Sequence, residues 1–471
     1  LGEKVAKENG FLPLLELGGI IMKQFDKPNI ILIIVHDLGT RLGCYGEATV
    51  QSPNLDAFAE EGIRFTHHFS ASPYCSPSRG SIVTGKYPHV HGLMGLVSLG
   101  WNLPEDNTVL AKLLKNGGYE TLLFGHQHEV INRQQYYADY DYMSDESTMD
   151  CNPIVSEVER FLADREPSVG KPFYARIGFW EVHRPYEAYS KADPLSVAVP
   201  AYLADTPGAR DDLAMFHGSI QQMDQAVGRI LDSVEKAGVK DNTIIVFTTD
   251  HGIDFPRAKG TLYDPGINTA LLMRWPQACA KGSVNTDLMS NVDLFPTLLE
   301  AAGLPIPEDV QGQSFLPLLH GEKYSPRTCI FAEKNTVATD LKRCVRTKRY
   351  KYIRNFQEGP LLHLMPSIEA SLTRRDMGNG HFAPRPPVEL YDLDSDPNEM
   401  NNLAGLPEHA HIERTLADQL QTIMEETADP LLTGPIERPV EEEIILRDKY
   451  ILLVKNSSFP RDGLRMVIDL D

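Results

Sequence analysis

Residues 29–39 read NIILIIVHDLG, and this stretch decides the fold class. Seven residues without polar alternation, rich in β-branched side chains, describe a strand buried on both faces of a parallel sheet. The run stops abruptly at His36-Asp37-Leu38-Gly39. In open α/β sheets ligands bind beyond the carboxyl ends of the strands, so polar residues there carry functional weight. The same grammar recurs downstream. A helix is expected at 53–62 (PNLDAFAEEG), with Pro at its start and Gly at its stop. A helix at 108–116 leads to a strand at 120–124 that runs into Gly125-His126-Gln127-His128. A strand at 173–179 ends near His183, and a long amphipathic helix at 219–237 precedes a strand at 243–248 that ends in Thr249-Asp250-His251-Gly252. Four apolar strands thus each deliver Asp or His to what should be one sheet edge.

After a helix in VDLFPTLLEAAG (292–303) the character changes. Short strands at 329–333, 344–354 and 389–393, a Pro- and Gly-containing excursion from Gln357 to Pro387, and a helix near 408–427 suggest a small α+β unit. The expected organisation is an N-terminal extension over 1–24, an α/β catalytic domain over 25–324 and a smaller α+β domain over 325–471. The apolar stretch FLPLLELGGII at 11–21 is interrupted by Pro13 and Glu16. It is too short to span a bilayer and shows no small-residue cleavage site. The extension therefore reads as an artificial or processing remnant or a docking segment, and the expected location is cytoplasmic, with a periplasmic or secreted one left open.

Across 471 residues, 45 Lys and Arg face 65 Asp and Glu, a formal net charge of −20. Such a surface repels polyanions, which argues against nucleic acid or an anionic membrane as partner. Six cysteines without short-spaced pairs form neither a disulfide framework nor a zinc ribbon. Cys75 stands apart. It lies in YCSPSRGSIVTGKYPHVHG (74–92), where a thiol is followed by Pro, Arg and a β-branched helical run. From the residues alone this suggests a nucleophile at a helix N-terminus, with the helix dipole and Arg79 lowering the thiol pKa.

The core Cys75-Ser76-Pro77-Ser78-Arg79, followed by Thr84-Gly85-Lys86, resembles the signature of the type I, formylglycine-dependent sulfatases of the alkaline phosphatase superfamily. Further blocks in register are SNVDLFPTLLEAAGLPIP (290–307), GQSFLPLLHG (312–321) and ELYDLDSDPNEMNNLA (389–404). LYDPG at 262–266 and MEETADPLL at 424–432 are similar to the N-sulfoglucosamine sulfohydrolase (sulfamidase) branch. The resemblance implies a large, mixed, mostly parallel sheet flanked by helices, with a smaller C-terminal α+β domain. It also implies that a formylglycine-generating enzyme oxidises Cys75 during maturation. The hydrated aldehyde offers one hydroxyl to attack sulfur and a second whose collapse releases sulfate.

The same resemblance places a divalent metal on Asp37, Asp250, His251 and the modified Cys75, and on His36, where most sulfatases have Asp. Ca2+ is the family expectation, and two imidazoles leave Mg2+ or Mn2+ open. Arg79 would hold the nucleophile and the metal-side oxygens. His128, from the family's Gly-Lys-x-His, would hydrogen-bond the formylglycine hydroxyl and act as base in sulfate release. His126 stands where the family has that Lys, so a titratable group replaces a fixed charge. His183, in FWEVHRPY, would donate a proton to the leaving group, and Lys259 would contact sulfate. His89, His91 and Asp224 read as structural. The basic stretch from Lys342 to Arg354 reads as a strand paired with the acidic 389–399 segment. The implied activity is hydrolysis of a sulfate ester or N-sulfate on a small or terminal sugar. Its competitors are a phosphodiesterase or phosphonate monoester hydrolase of the same superfamily, and a non-catalytic sugar-binding relative.

Overall fold

A computed structural model describes residues 27–144, 150–165, 171–335 and 340–455, so the 1–24 extension lies outside the described residues. Its strands are β1 (Asn29–Val35), β2 (Ile63–Phe65), β3 (His68–Phe69), β4 (Glu120–Gly125), β5 (Tyr142–Met143), β6 (Phe173–Gly178), β7 (Thr243–Thr249), β8 (Leu271–Arg274), β9 (Ser283–Asn285), β10 (Met289–Ser290), β11 (Ile330–Lys334), β12 (Lys342–Arg346), β13 (Tyr350–Asn355) and β14 (Val388–Asp392). The main sheet runs β5-β4-β6-β1-β7-β8-β2-β9, and only β8 is antiparallel to its neighbours. β3 and β10 form a short parallel pair, and β11 to β14 form a separate antiparallel sheet. This is a mixed, mostly parallel α/β sheet with a smaller second sheet.

The unbroken apolar run of β1 has its reason in two cores. Ile30, Leu32 and Ile34 pack into one cluster with Val246 and Leu123, while Ile31, Ile33 and Val35 pack into the other with Phe247 and Ile177. Because successive strand residues point to opposite faces, a strand covered on both sides has no place for a polar residue. The helix of 13 residues at Cys151–Ala163 and the 30-residue helix Pro207–Lys236 cover the second face.

Two elements differ from the expectation. The long helix begins at Pro207, with Thr206 capping the Ala209 N–H at 3.2 Å, rather than at Ser219. Gly218 imitates a stop signal, but a Cβ there would lie 1.6 Å from the Ser190 carbonyl oxygen. The glycine permits a close backbone approach inside a continuous helix. The stretch 344–354 is a hairpin, β12 and β13, rather than one strand. Its turn lacks Gly or Pro and is closed by the Thr347 N–H to Tyr350 O bond at 2.8 Å and the Tyr350 N–H to Thr347 Oγ1 bond at 2.9 Å.

The small sheet is fastened to the large one beside Cys75. The Glu333 N–H on β11 donates to Ala71 O at 2.9 Å, and its buried carboxylate accepts from the His89 backbone N–H at 2.9 Å and His89 Nδ1 at 2.8 Å. Burial would push the Glu333 carboxyl up, but His89 and Arg343 hold it below the usual range. β13 pairs with β14, and Arg349 reaches Asp392 at 2.8 Å, so the basic stretch does meet the acidic segment. Asp224, on the long helix, accepts from the Leu55 N–H at 2.8 Å and the Asn54 N–H at 3.2 Å, capping α1 (Pro53–Glu61) from outside.

Two stability outcomes follow from these contacts. Asp224→Ala should cost about 1–2 kcal/mol in urea unfolding, the range of a lost helix cap, with the site geometry intact. Glu333→Ala strips a buried ion pair of one member and should cost about 3–5 kcal/mol. Since the folded pKa of Glu333 lies below its unfolded value, its contribution is present at neutral pH. It fades as pH falls beneath the ordinary Glu pKa of about 4.3, and unfolding curves of the two proteins should converge there.

Candidate active site

The site follows from level strand ends. Val35 pairs with Thr249, Ile34 with Gly178, and Gly125 with Gly178, so β4, β6, β1 and β7 finish side by side. The residues that follow each strand therefore meet. Asp37 takes a left-handed backbone, φ 51°, a region an Asp tolerates better than most residues. Three hydrogen bonds hold it there: the Asp37 N–H to Asp250 Oδ1 at 3.0 Å, the Leu38 N–H to Thr249 Oγ1 at 3.2 Å and the Gly39 N–H to His251 O at 2.9 Å. Gly252 is required by contact, since a Cβ would lie 1.8 Å from Pro265 O.

Cys75 is the first residue of α2 (Cys75–Thr84), a helix buried along its whole length. Its Sγ lies 3.1 Å from His251 Nε2 and 3.9 Å from Asp37 Oδ1. Arg79, one turn on, is fully buried and donates from Nε to Asp250 Oδ2 at 3.0 Å and from Nη2 to Val35 O at 3.3 Å. Lys259 Nζ donates to Asp37 Oδ2 at 2.7 Å and stands 3.8 Å from Asp254. His183 Nε2 is 3.8 Å from Asp37 Oδ2, while its Nδ1 meets the Arg184 carbonyl. His36 Nδ1 is 2.9 Å from Asp250 Oδ2. The structure thus gathers Asp37, Asp250, His251, Cys75, Arg79, Lys259 and His36 in one buried cluster, with the partly exposed His183 beside it. His126 and His128 stand at its edge against His36, at ring-centroid distances of 4.8 and 5.9 Å, and among the described residues no hydrogen bond joins His128 to Cys75.

The electrostatics correct one expectation. Burial drives the Cys75 thiol well above its ordinary pKa, and Asp250 and Asp37 add to the rise against Lys259 and Arg79. The guanidinium serves Asp250, so the thiol is not activated as the helix position alone suggested. Burial would also raise Asp37, but Lys259, His183 and His251 hold it well below the carboxylate range, and Asp250 is held low by His251, His36 and Arg79. Lys259 is held far up by Asp254 and Asp37 despite its burial. Burial and Lys259 bring His183 down to about 4, and burial with the neighbouring His36 and Arg79 keeps His126 and His128 neutral.

Several participants went unread in the sequence. Ser78 Oγ donates to Asp250 O, and Asn291 donates to Ser78 O at 3.2 Å while accepting the Ala71 N–H at 3.0 Å. Trp180 packs against His36, His126 and His183 with centroids 5.4, 5.2 and 4.5 Å away. The only signal was position: Trp180 lies between a strand end and a site histidine, and Ser78 lies inside the Cys75 core. His91 is structural, as expected. It accepts the Leu93 N–H at 3.1 Å and sits against Gly80, where a Cβ would lie 2.7 Å from the ring. Burial takes its pKa down to about 3.

The sulfatase family profile matches residues 28–304, more than half of the chain. The chain belongs to the sulfatase family. A second profile, N-sulphoglucosamine sulphohydrolase, C-terminal, matches residues 255–366. This sulfatase is 28% identical over 466 residues to the human N-sulphoglucosamine sulphohydrolase, spanning 86% of this chain and 92% of that one. It is 30% identical over 436 residues to an ulvan-active sulfatase of Formosa agariphila, spanning 88% and 83%. A solved structure in complex with its substrate D-glucosamine-2-N,6-O-disulfate shares the fold, with a TM-score of 0.69 at 22% identity, covering 88% of this chain and 100% of the other.

The donor set of the sulfatase site suits a divalent ion. Ligand atoms of His36, Asp37, Cys75 and Asp250 lie within 4.8 Å of one another, and the two carboxylates are ionised and dry. Binding should stabilise the fold by about 2.7 kcal/mol at a hundredfold excess over Kd. Thermal unfolding with Ca2+, Mg2+ or Mn2+ should therefore show a rise in Tm that EDTA reverses, and Asp37→Asn should abolish the rise.

Proposed function

We propose that this sulfatase hydrolyses a sulfate ester or N-sulfate on a small or terminal sugar, with Cys75 converted to formylglycine and a divalent ion held by Asp37, Asp250 and His251. One observation carries the reading. The side chain of residue 75 points into the carboxylate and imidazole cluster, 3.1 Å from His251 Nε2, yet as a thiol it is kept protonated by burial. A buried thiol between two carboxylates is a poor nucleophile, so the position calls for different chemistry. A formylglycine hydrate there would supply both an attacking and a releasing oxygen, and a divalent ion held by Asp37, Asp250 and His251 would acidify the attacking hydroxyl and bind sulfate oxygens.

The chain's own groups do the rest. Arg79 fixes Asp250 and keeps both elements of the cluster in register. Lys259 carries a permanent positive charge on the Asp37 side and receives a sulfate oxygen. His183 has its Nδ1 committed to the Arg184 carbonyl, which leaves Nε2 facing the site for transfer to a leaving group. Its low pKa comes from burial and Lys259, and an incoming sulfate offsets the Lys259 charge and lifts it toward a working acid.

Support for the sugar class comes from relatives named for N-sulphoglucosamine, for ulvan and, in Bacteroides thetaiotaomicron, for N-acetylglucosamine 6-O-sulfate. The match to the N-sulphoglucosamine sulphohydrolase C-terminal profile favours an N-sulfate. The net charge of −20 disfavours a long polyanionic chain, hence a small or terminal substrate.

The test combines two measurements on protein made with a formylglycine-generating enzyme. Mass spectrometry of the Cys75 peptide should show the aldehyde, and N-sulfoglucosamine or an aryl sulfate should turn over faster than an aryl phosphodiester. Cys75→Ser should lower kcat by roughly a thousandfold or more. An unmodified thiol without turnover would sink the proposal, and preferred turnover of the phosphodiester would replace it with the phosphodiesterase reading.

A further inference from the structure

Three imidazoles cluster beside the carboxylate site. His36, His126 and His128 each place one ring nitrogen within 4.8 Å of the other two, with centroids 4.8, 5.3 and 5.9 Å apart. His36 Nδ1 stands 2.9 Å from Asp250 Oδ2, and both of its ring nitrogens are buried without a hydrogen-bond partner. His128 Nδ1 is likewise buried without one. A buried polar atom left unsatisfied is costly, so several in one cluster ask for an explanation. Trp180 walls the group on the His36 and His126 side.

A metal ion accounts for these facts together. A carboxylate beside one ring nitrogen of a histidine favours the proton there and leaves the other nitrogen as a lone-pair donor, the usual support behind a metal-bound imidazole. Asp250 Oδ2 stands at that distance from His36 Nδ1. Three nitrogen donors without a carboxylate or carbonyl suit a borderline first-row dication such as Zn2+, Co2+ or Ni2+, and suit the oxygen-seeking Ca2+ or Mg2+ poorly. We propose that His36, His126 and His128 form a tri-imidazole site for such an ion beside the Asp37 and Asp250 site, with His36 given to this ion and Asp37, Asp250 and His251 to the other.

Charge gives an independent argument. His36 stands where the resemblance to the sulfatases puts an Asp and His126 where it puts a Lys, and their rings are neighbours. One exchange removes a negative charge and the other a positive one, so the formal sum is unchanged while two neutral donors appear. A dication held there restores positive charge at the corner that Lys occupies in the pattern. The proposal rests on the sulfatase reading for this purpose, and it gives His128 the task of holding the ion rather than moving a proton.

The experiment reads metal, not turnover. Chelator-stripped full-length protein is loaded with Zn2+ or Co2+ under excess Ca2+, desalted, and its transition-metal content measured. About one equivalent should resist Ca2+ and be lost in His126→Lys, a variant whose folding is checked by circular dichroism. X-ray absorption of the Zn2+-loaded native protein should show three imidazoles around the metal, which decides the matter should the variant misfold. No Ca2+-resistant ion, an ion retained in folded His126→Lys, or fewer than three imidazoles would each overturn the site. The sulfatase reading stands or falls separately, on the Cys75 peptide mass and sulfate turnover.

Discussion

Two carboxylates in a dry cavity repel each other strongly unless something positive stands beside each, because little solvent screens them. Asp37 and Asp250 are both fully buried and linked through the Asp37 N–H. Arg79 covers one and Lys259 the other, each on the Oδ2 oxygen. This matched set of two and two orients the site. Asp37 Oδ1 stays turned toward His251 and Cys75, while Asp250 Oδ1 accepts the backbone N–H groups of Asp37 and His251. The left-handed turn at Asp37, the close approach at Gly252 and the level ends of β1 and β7 are all needed to keep those oxygens where they are.

The acidic surface and the two buried cations act at different ranges. With a formal charge of −20 the exterior field acts over about a Debye length, near 8 Å at physiological ionic strength. Arg79 and Lys259 lie beneath the surface, where their fields are screened far less by solvent. An anion of modest size can therefore be repelled weakly at a distance and held firmly at contact. The overall charge bears on how much of a polyanion can lie along the protein, and the buried cations bear on what is bound.

How far the sequence disclosed this depends on the kind of signal. β1 and β7 were readable because a strand covered on both faces tolerates no polar residue, and the residues after them were readable because such strands end at a ligand edge. Gly218 sits inside the long helix against the Ser190 carbonyl, a tertiary contact with no local signal in the sequence. The β12–β13 turn was hidden because Thr347 closes it with a side-chain hydrogen bond instead of Gly or Pro. The thiol was misjudged for a deeper reason. Helix position and a nearby Arg are local features, whereas the Asp37 and Asp250 charges that oppose ionisation arrive from strands far apart in the chain. Trp180 and Asn291 belong to the same class, since their roles exist only once the strands are assembled.

The second sheet belongs to the site as much as to the periphery. Glu333 on β11 holds Ala71 and His89, on either side of α2. Asn291 ties Ala71 to Ser78, and Ser78 ties α2 to the Asp250 carbonyl. The start of α2 is thus anchored through residues 71, 78, 79 and 89. The side-chain polar contacts of residue 75 among the described residues are one to His251 and a long one to Asp37, beside its packing in the core. Its polar contacts are therefore separate from the hydrogen bonds that hold the helix. A change confined to that side chain would leave these anchors in place, because the rigidity at the start of α2 resides in neighbours that it does not touch.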